Sequence, residues 1–214
     1  MQERPNHATE ARHQRTAVIL PCLNEAQAIA SVIAGFRAAL PDADIFVIDN
    51  ASIDNTAEAA RAAGATVLLE PVRGKGNAVR RAFAAIEADV YVIADGDGTY
   101  DATRAPELIA ALADSRLDMV VGARRKTAEE AYRAGHEFGK WAFNRALKAS
   151  FGSTFRDIFS GYRVLSRRFV KSFPAMSDGF EIETEMSVHA ILLRMPTLEV
   201  DCDYGARKRL MNDF

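Results

Sequence analysis

Asp95 and Asp97 stand one residue apart at the end of the run Val90-Tyr91-Val92-Ile93-Ala94, with Gly96 between them and Gly98-Thr99-Tyr100-Asp101 behind. Apolar and β-branched residues in such a run read as a buried strand, and a glycine after it lets the chain turn away. Two carboxylates delivered together to a strand end make a place to hold a divalent cation. Mg²⁺ and Mn²⁺ favour oxygen ligands and bridge one or two carboxylates to substrate phosphates. An acidic turn is the plainer alternative, since Asp and Gly are common turn residues.

Three further polar clusters carry chemistry of the same kind. In Pro21-Cys22-Leu23-Asn24-Glu25 and Asp49-Asn50-Ala51-Ser52, Glu25 and Asp49 are placed to accept hydrogen bonds from a donor-rich base or ribose, while Pro21 and Leu23 offer a wall. Asp49 also suits an Asx turn or a helix cap. In Gly74-Lys75-Gly76-Asn77, Lys75 lies between two glycines at a helix start, where it reads as a phosphate partner beside backbone N–H groups, or else as a solvated lysine. The Gly-x-x-x-x-Gly-Lys-Ser/Thr spacing of a P-loop is absent.

The elements that must position these residues alternate. Strands are expected at Thr16–Leu20 (ended by Pro21), Ile45–Ile48, Thr66–Leu69, Val90–Ala94, Met119–Val121, Ser160–Leu165 and Thr197–Cys202. Helices are expected at Ala26–Leu40, from Asp54-Asn55-Thr56 to Ala63 with Gly64 as the stop, from Lys75 through Ile86, at Pro106–Ala113, at Ala131–Ser150 and at Glu181–Leu193. Strand-helix repetition demands a mainly parallel, doubly wound sheet. Every polar cluster then falls on one sheet edge, beyond the carboxyl ends of the strands, where α/β sheets bind ligands.

With 214 residues, 49% of them hydrophobic, the chain is large enough for one good-sized core. The expectation is a disordered leader over 1–15, one domain over 16–207 and a tail over 208–214. A net charge of −2 gives no global basic field for nucleic acid. Cys22 and Cys202, the only cysteines, fit free buried thiols in a reducing cytoplasm. No run of about 18 apolar residues suggests a membrane span. The 131–150 helix sets Phe138 and Trp141 among Arg133, Lys140, Arg145 and Lys148, which suits peripheral contact with a membrane face or simply a solvated basic surface.

Taken in order, Pro21-Cys22-Leu23-Asn24-Glu25, Asp49-Asn50-Ala51-Ser52-x-Asp54-x-Thr56, Gly74-Lys75-Gly76-Asn77-Ala78 and Asp95-Gly96-Asp97-Gly98-Thr99-Tyr100-Asp101 resemble family 2 inverting glycosyltransferases. Ser160-Gly161-Tyr162-Arg163 and Gly179-Phe180-Glu181-x-Glu183 look most like its dolichyl- or polyprenyl-phosphate sugar synthase branch. The resemblance implies a GT-A type, Rossmann-like α/β fold with helices on both faces of the sheet. It also implies a UDP- or GDP-linked sugar donor, Mg²⁺ or Mn²⁺ on Asp95 and Asp97, and a nucleoside held by Pro21, Leu23, Glu25 and Asp49. Lys75, Gly96 and Arg124 would join the donor site. A polyprenyl phosphate is already an anionic nucleophile and needs positioning more than a general base. Arg145, Arg163 and Arg207 are its expected phosphate partners, with Glu181 and Glu183 held in reserve as a base or donor contact. Two alternatives stay open: a non-catalytic nucleotide-sugar-binding module, and a haloacid-dehalogenase-like phosphatase, whose Asp-x-Asp-Gly-Thr nucleophile motif Asp95–Thr99 also matches.

Overall fold

A computed structural model describes residues 14–125 and 155–205. Seven strands form one sheet: β1 (Thr16–Cys22), β2 (Asp44–Asp49), β3 (Thr66–Leu69), β4 (Val90–Ile93), β5 (Met119–Arg124), β6 (Arg163–Ser166) and β7 (Thr197–Cys202). Their order is β3-β2-β1-β4-β6-β5-β7. Neighbours are parallel except at β6, which runs antiparallel to both β4 and β5. The chain thus builds outward from β1 to β3, then crosses to the other side of β1 with β4. That reversal is the switch point at which an open α/β sheet leaves a crevice.

Alternation along the strands divides the core. Val18 and Leu20 of β1, Val47 of β2 and Val92 of β4 pack with Ile29, Ile33 and Phe36 of α1 (Ile29–Ala39), Ala60 of α2 (Thr56–Ala62) and Leu108 of α4 (Ala105–Asp114). Ala17, Ile19, Ile48, Tyr91 and Ile93 point the other way. They meet Val79 and Phe83 of α3 (Lys75–Ala85), Phe169 of α5 (Arg167–Ser172) and Ile182 and Met186 of α6 (Glu181–Leu192). Period-two side chains buried on both faces give the near-continuous apolar strands of a covered parallel sheet.

Several elements differ from expectation: α1 starts at Ile29 and not Ala26, β2 and β5 are longer than expected, and three further differences have a visible cause. β1 runs through Pro21 to Cys22, because its ladder with β4 already ends at Ile19 while that with β2 continues to the Cys22–Asp49 pair. Proline is tolerated where one side of a strand has no partner. β6 starts at Arg163 and not at Ser160, since side chains there compete for the backbone: the Ser160 hydroxyl accepts from Tyr162 N (3.2 Å), and the Tyr100 hydroxyl accepts from Gly161 N (2.8 Å). α5 was not expected at all. Ser166 caps it by accepting from Phe169 N (3.0 Å), a signal present in the sequence but set in a helix of only six residues. The 131–150 helix lies outside the described residues.

Candidate active site

Glu25, Asp49, Asp95 and Asp97 converge as the strand order requires. Cys22, between them at the end of β1, senses all four: burial first, and then the charges of Glu25, Asp49, Asp95 and Asp97, push its thiol pKa well up. The Asp-x-Asp turn packs directly on that thiol, and a Cβ at position 96 would lie 2.3 Å from Cys22 Sγ, so only glycine fits between the two carboxylates.

Each carboxylate of the pair is half committed. Asp97 Oδ1 accepts from the backbone N (3.0 Å) and hydroxyl (2.7 Å) of Thr99, and Asp95 Oδ1 accepts from Lys75 Nζ. The remaining oxygen of each accepts no hydrogen bond from the described residues, and both side chains reach solvent. Two hard oxygen donors on one turn fit Mg²⁺ or Mn²⁺, with open positions for phosphate oxygens. No group of three or more His, Cys, Asp or Glu poised for a metal occurs among the described residues. Thr99 holds Asp97 in place.

The other expected partners divide. Asp49 is buried, its Oδ1 accepting from Ser52 N (3.2 Å) in an Asx-type turn that still leaves it at the strand end, and Leu23 is 40% exposed beside it in the β1 loop. Asn50, which sequence reasoning passed over, stitches this edge together. Its amide nitrogen donates to Glu70 O (3.3 Å) and Val72 O (2.7 Å), and its oxygen accepts from Gly74 N (2.6 Å).

Lys75 does not stand ready for phosphate. Its ammonium is buried between Asp95 and Glu183, the latter at 2.6 Å, and these charges overcome a burial that would lower its pKa and hold it above the ordinary lysine value. The N-terminus of α3 is likewise taken: Gly76 N donates to Asp178 O (2.8 Å) and Gly179 O (3.1 Å), and Asn77 N to Asp178 O (3.3 Å). A Cβ on Gly76 would lie 2.0 Å from Ser177 O. The glycines around Lys75 therefore admit the backbone of residues 177–179, not an anion. Glu183, engaged with Lys75, is no free base.

The arginines need correction too. Arg163 is fully buried, donating to Ser160 O (2.9 Å), Ile158 O (2.8 Å) and the Ser187 hydroxyl (2.9 Å), with burial lowering its pKa to about 10. It braces the start of β6 and presents nothing to an acceptor. Arg124 forms a two-pronged pair with Asp157 (2.7 and 2.8 Å) and lies over the Tyr204 ring, 5.3 Å from its centroid. It sits at the end of β5 but is already matched by a carboxylate that sequence reasoning did not select. Arg145 and Arg207 lie outside the described residues.

The glycosyl transferase family 2 model matches residues 17–173, a span holding all four converging carboxylates. The chain belongs to glycosyl transferase family 2. Among related proteins, Protein RfbJ of Shigella flexneri is 53% identical over 121 residues, 56% of this chain and 94% of RfbJ. Glycosyltransferase AglJ of Haloferax volcanii is 38% identical over 192 residues, 89% of this chain but only 63% of AglJ. A dolichyl-phosphate hexose transferase of the same organism is 32% identical over 200 residues, 93% of this chain and 86% of the relative. Of solved structures, glucosyl-3-phosphoglycerate synthase from Mycobacterium tuberculosis with Mn²⁺, UDP-glucose and phosphoglyceric acid aligns at a TM-score of 0.76 and 26% identity, over 94% of this chain and 74% of that one. The family 2 fold is the GT-A type, and the chain is a glycosyltransferase; neither the phosphatase nor the non-catalytic alternative stands.

Proposed function

We propose that this family 2 glycosyltransferase moves a sugar from a UDP- or GDP-linked donor to a polyprenyl phosphate, with inversion at the anomeric carbon and with Mg²⁺ or Mn²⁺ bound at Asp95 and Asp97. The observation that carries the reading is the pair of uncommitted carboxylate oxygens on the Asp95–Asp97 turn, beside Asp49 and Glu25 at the sheet's switch point. A divalent cation there supplies Lewis-acid stabilisation of the charge that grows on the leaving diphosphate. Asp49 and Glu25 accept hydrogen bonds from the nucleoside against Pro21 and Leu23. The backbone at Gly96 brings the turn close to the donor. Lys75, tied to Glu183, fixes the direction of Asp95, and Arg124 flanks the donor from β5.

The acceptor reading rests on the chemistry of the nucleophile. A hydroxyl acceptor would need a base, whereas a phosphate monoester is already ionised. Of the two glutamates held in reserve as a base, Glu183 is bound to Lys75, and Glu181 is exposed at the first turn of α6. The name of the dolichyl-phosphate hexose transferase relative supports the same acceptor. Arg145 and Arg207 are its proposed phosphate partners, and the two buried free thiols suit the cytoplasmic face of a membrane. Among the described residues no helix is long and apolar enough to cross one.

The test is transfer. Purified protein, Mn²⁺ and a panel of UDP- and GDP-sugars should convert a short-chain polyprenyl phosphate to its glycosyl phosphate, with NMR showing the anomeric configuration opposite to the donor's. Transfer only to a soluble acceptor such as phosphoglyceric acid, or retention of configuration, would contradict the proposal.

A further inference from the structure

Residues Ala175–Phe180 form a strap whose backbone is fastened at nearly every position. Arg80, one turn into α3, donates to Ala175 O (2.7 Å), Met176 O (3.0 Å) and Ser177 O (3.2 Å) and pairs with Asp178 (3.2 Å). Glu185 accepts from Met176 N (2.8 Å) and Ser177 N (2.7 Å), and the α3 N-terminus takes the carbonyls of Asp178 and Gly179. Only Ala175 of the strap joins the core; the strap ends in Phe180, which is 72% exposed, with its ring 5.5 Å from the Lys75 ammonium that holds Asp95. Nothing in the packing of the fold requires an aromatic there. What singles it out among the exposed apolar side chains is its position at the rim of the site, one side chain away from the Asp-x-Asp turn, where a ligand that covers it gains free energy.

We infer that Phe180 is a specificity-determining residue, an apolar wall for the first isoprene unit of the acceptor. The inference rests on the polyprenyl-phosphate reading. A prenyl phosphate whose phosphate oxygen attacks beside Asp95 must carry its chain out across the rim, and the hydrocarbon next to the phosphate has to leave water against a surface already fixed. Preorganisation by Arg80 and Glu185 makes the contact effective, because little motion is lost when the acceptor binds. With Lys75 Nζ 5.5 Å from its centroid, the ring offers its apolar area at the rim, and that area is what the isoprene unit covers.

Phe180→Ala and Phe180→Leu, with steady-state kinetics on a short-chain polyprenyl phosphate, test this. Exposure of the side chain means that both variants should keep the wild-type melting temperature. Phe180→Ala should raise KM for the prenyl phosphate by about tenfold or more, the scale of an apolar side chain withdrawn from contact, while KM for the nucleotide sugar stays as in wild type. Phe180→Leu should restore most of the acceptor affinity, since apolar area and not ring charge does the work. Unchanged acceptor KM in Phe180→Ala would overturn the inference and leave the acceptor reading standing. A rise in donor KM that Leu does not rescue would overturn it in favour of a ring that packs on the donor sugar or steadies Lys75. Wild-type protein inactive on any prenyl phosphate would overturn both together.

Discussion

Lys75 carries its charge where water scarcely reaches and keeps it there only because Asp95 and Glu183 answer it; its side chain is 8% exposed. Removing one member of a buried charged group leaves the others uncompensated, at a cost of about 3–5 kcal/mol. Lys75→Met should therefore lower unfolding stability by about 3 kcal/mol, towards the low end because Asp95 keeps some solvent. Urea denaturation checks it, and a loss below about 0.5 kcal/mol, the scale of a surface substitution, would show the triad to be unimportant. The role was illegible in the sequence for a physical reason. Lysine between glycines at a helix start is what a phosphate site looks like, and the carboxylate that reassigns it lies 108 residues away. Asp95, Asp97, Asp49 and Glu25 were legible because strand ends in a parallel sheet share one edge whatever the details of packing. Arg163 was misassigned because an arginine in a polar motif gives no sign of whether its guanidinium faces solvent or backbone carbonyls.

At the level of elements, all seven strands were found, and their ends less evenly. Thr66–Leu69 and Thr197–Cys202 were placed to the residue, since short runs bounded by turn residues leave little freedom. The antiparallel run of β6 was not foreseen, as periodicity carries no direction. Nor was the docking of the 175–180 strap on α3, although two glycines announced a close approach of some kind. Gly76→Ala distinguishes strap from anion there. Alanine favours a helix over glycine by about 1 kcal/mol, so an open helix start would be stabilised. With a Cβ 2.0 Å from the Ser177 carbonyl oxygen, backbone against backbone, the substitution should instead destabilise by at least about 1–3 kcal/mol. A variant with a raised melting temperature would show the strap free to move aside.

Across the whole molecule, the account makes the Asp95–Asp97 turn a metal-and-diphosphate site that both halves of the sheet converge on, so donor binding should be felt as global stability. A ligand at about one hundred times its Kd adds about 2.7 kcal/mol to the native state, and for a chain of this size each kcal/mol moves Tm by roughly 2–4 °C. A nucleotide sugar with Mn²⁺ should therefore raise Tm by roughly 5–10 °C, and a chelator should abolish the shift. Asp97 is partly exposed and, among the described residues, bonded only to Thr99, so Asp97→Ala should fold as the wild type does. The decisive measurement is the melting temperature of wild-type and Asp97→Ala protein with a UDP- or GDP-sugar, with and without Mn²⁺. The account predicts a metal-dependent rise in the wild type and none in the variant; an equal, metal-dependent rise in both would contradict it.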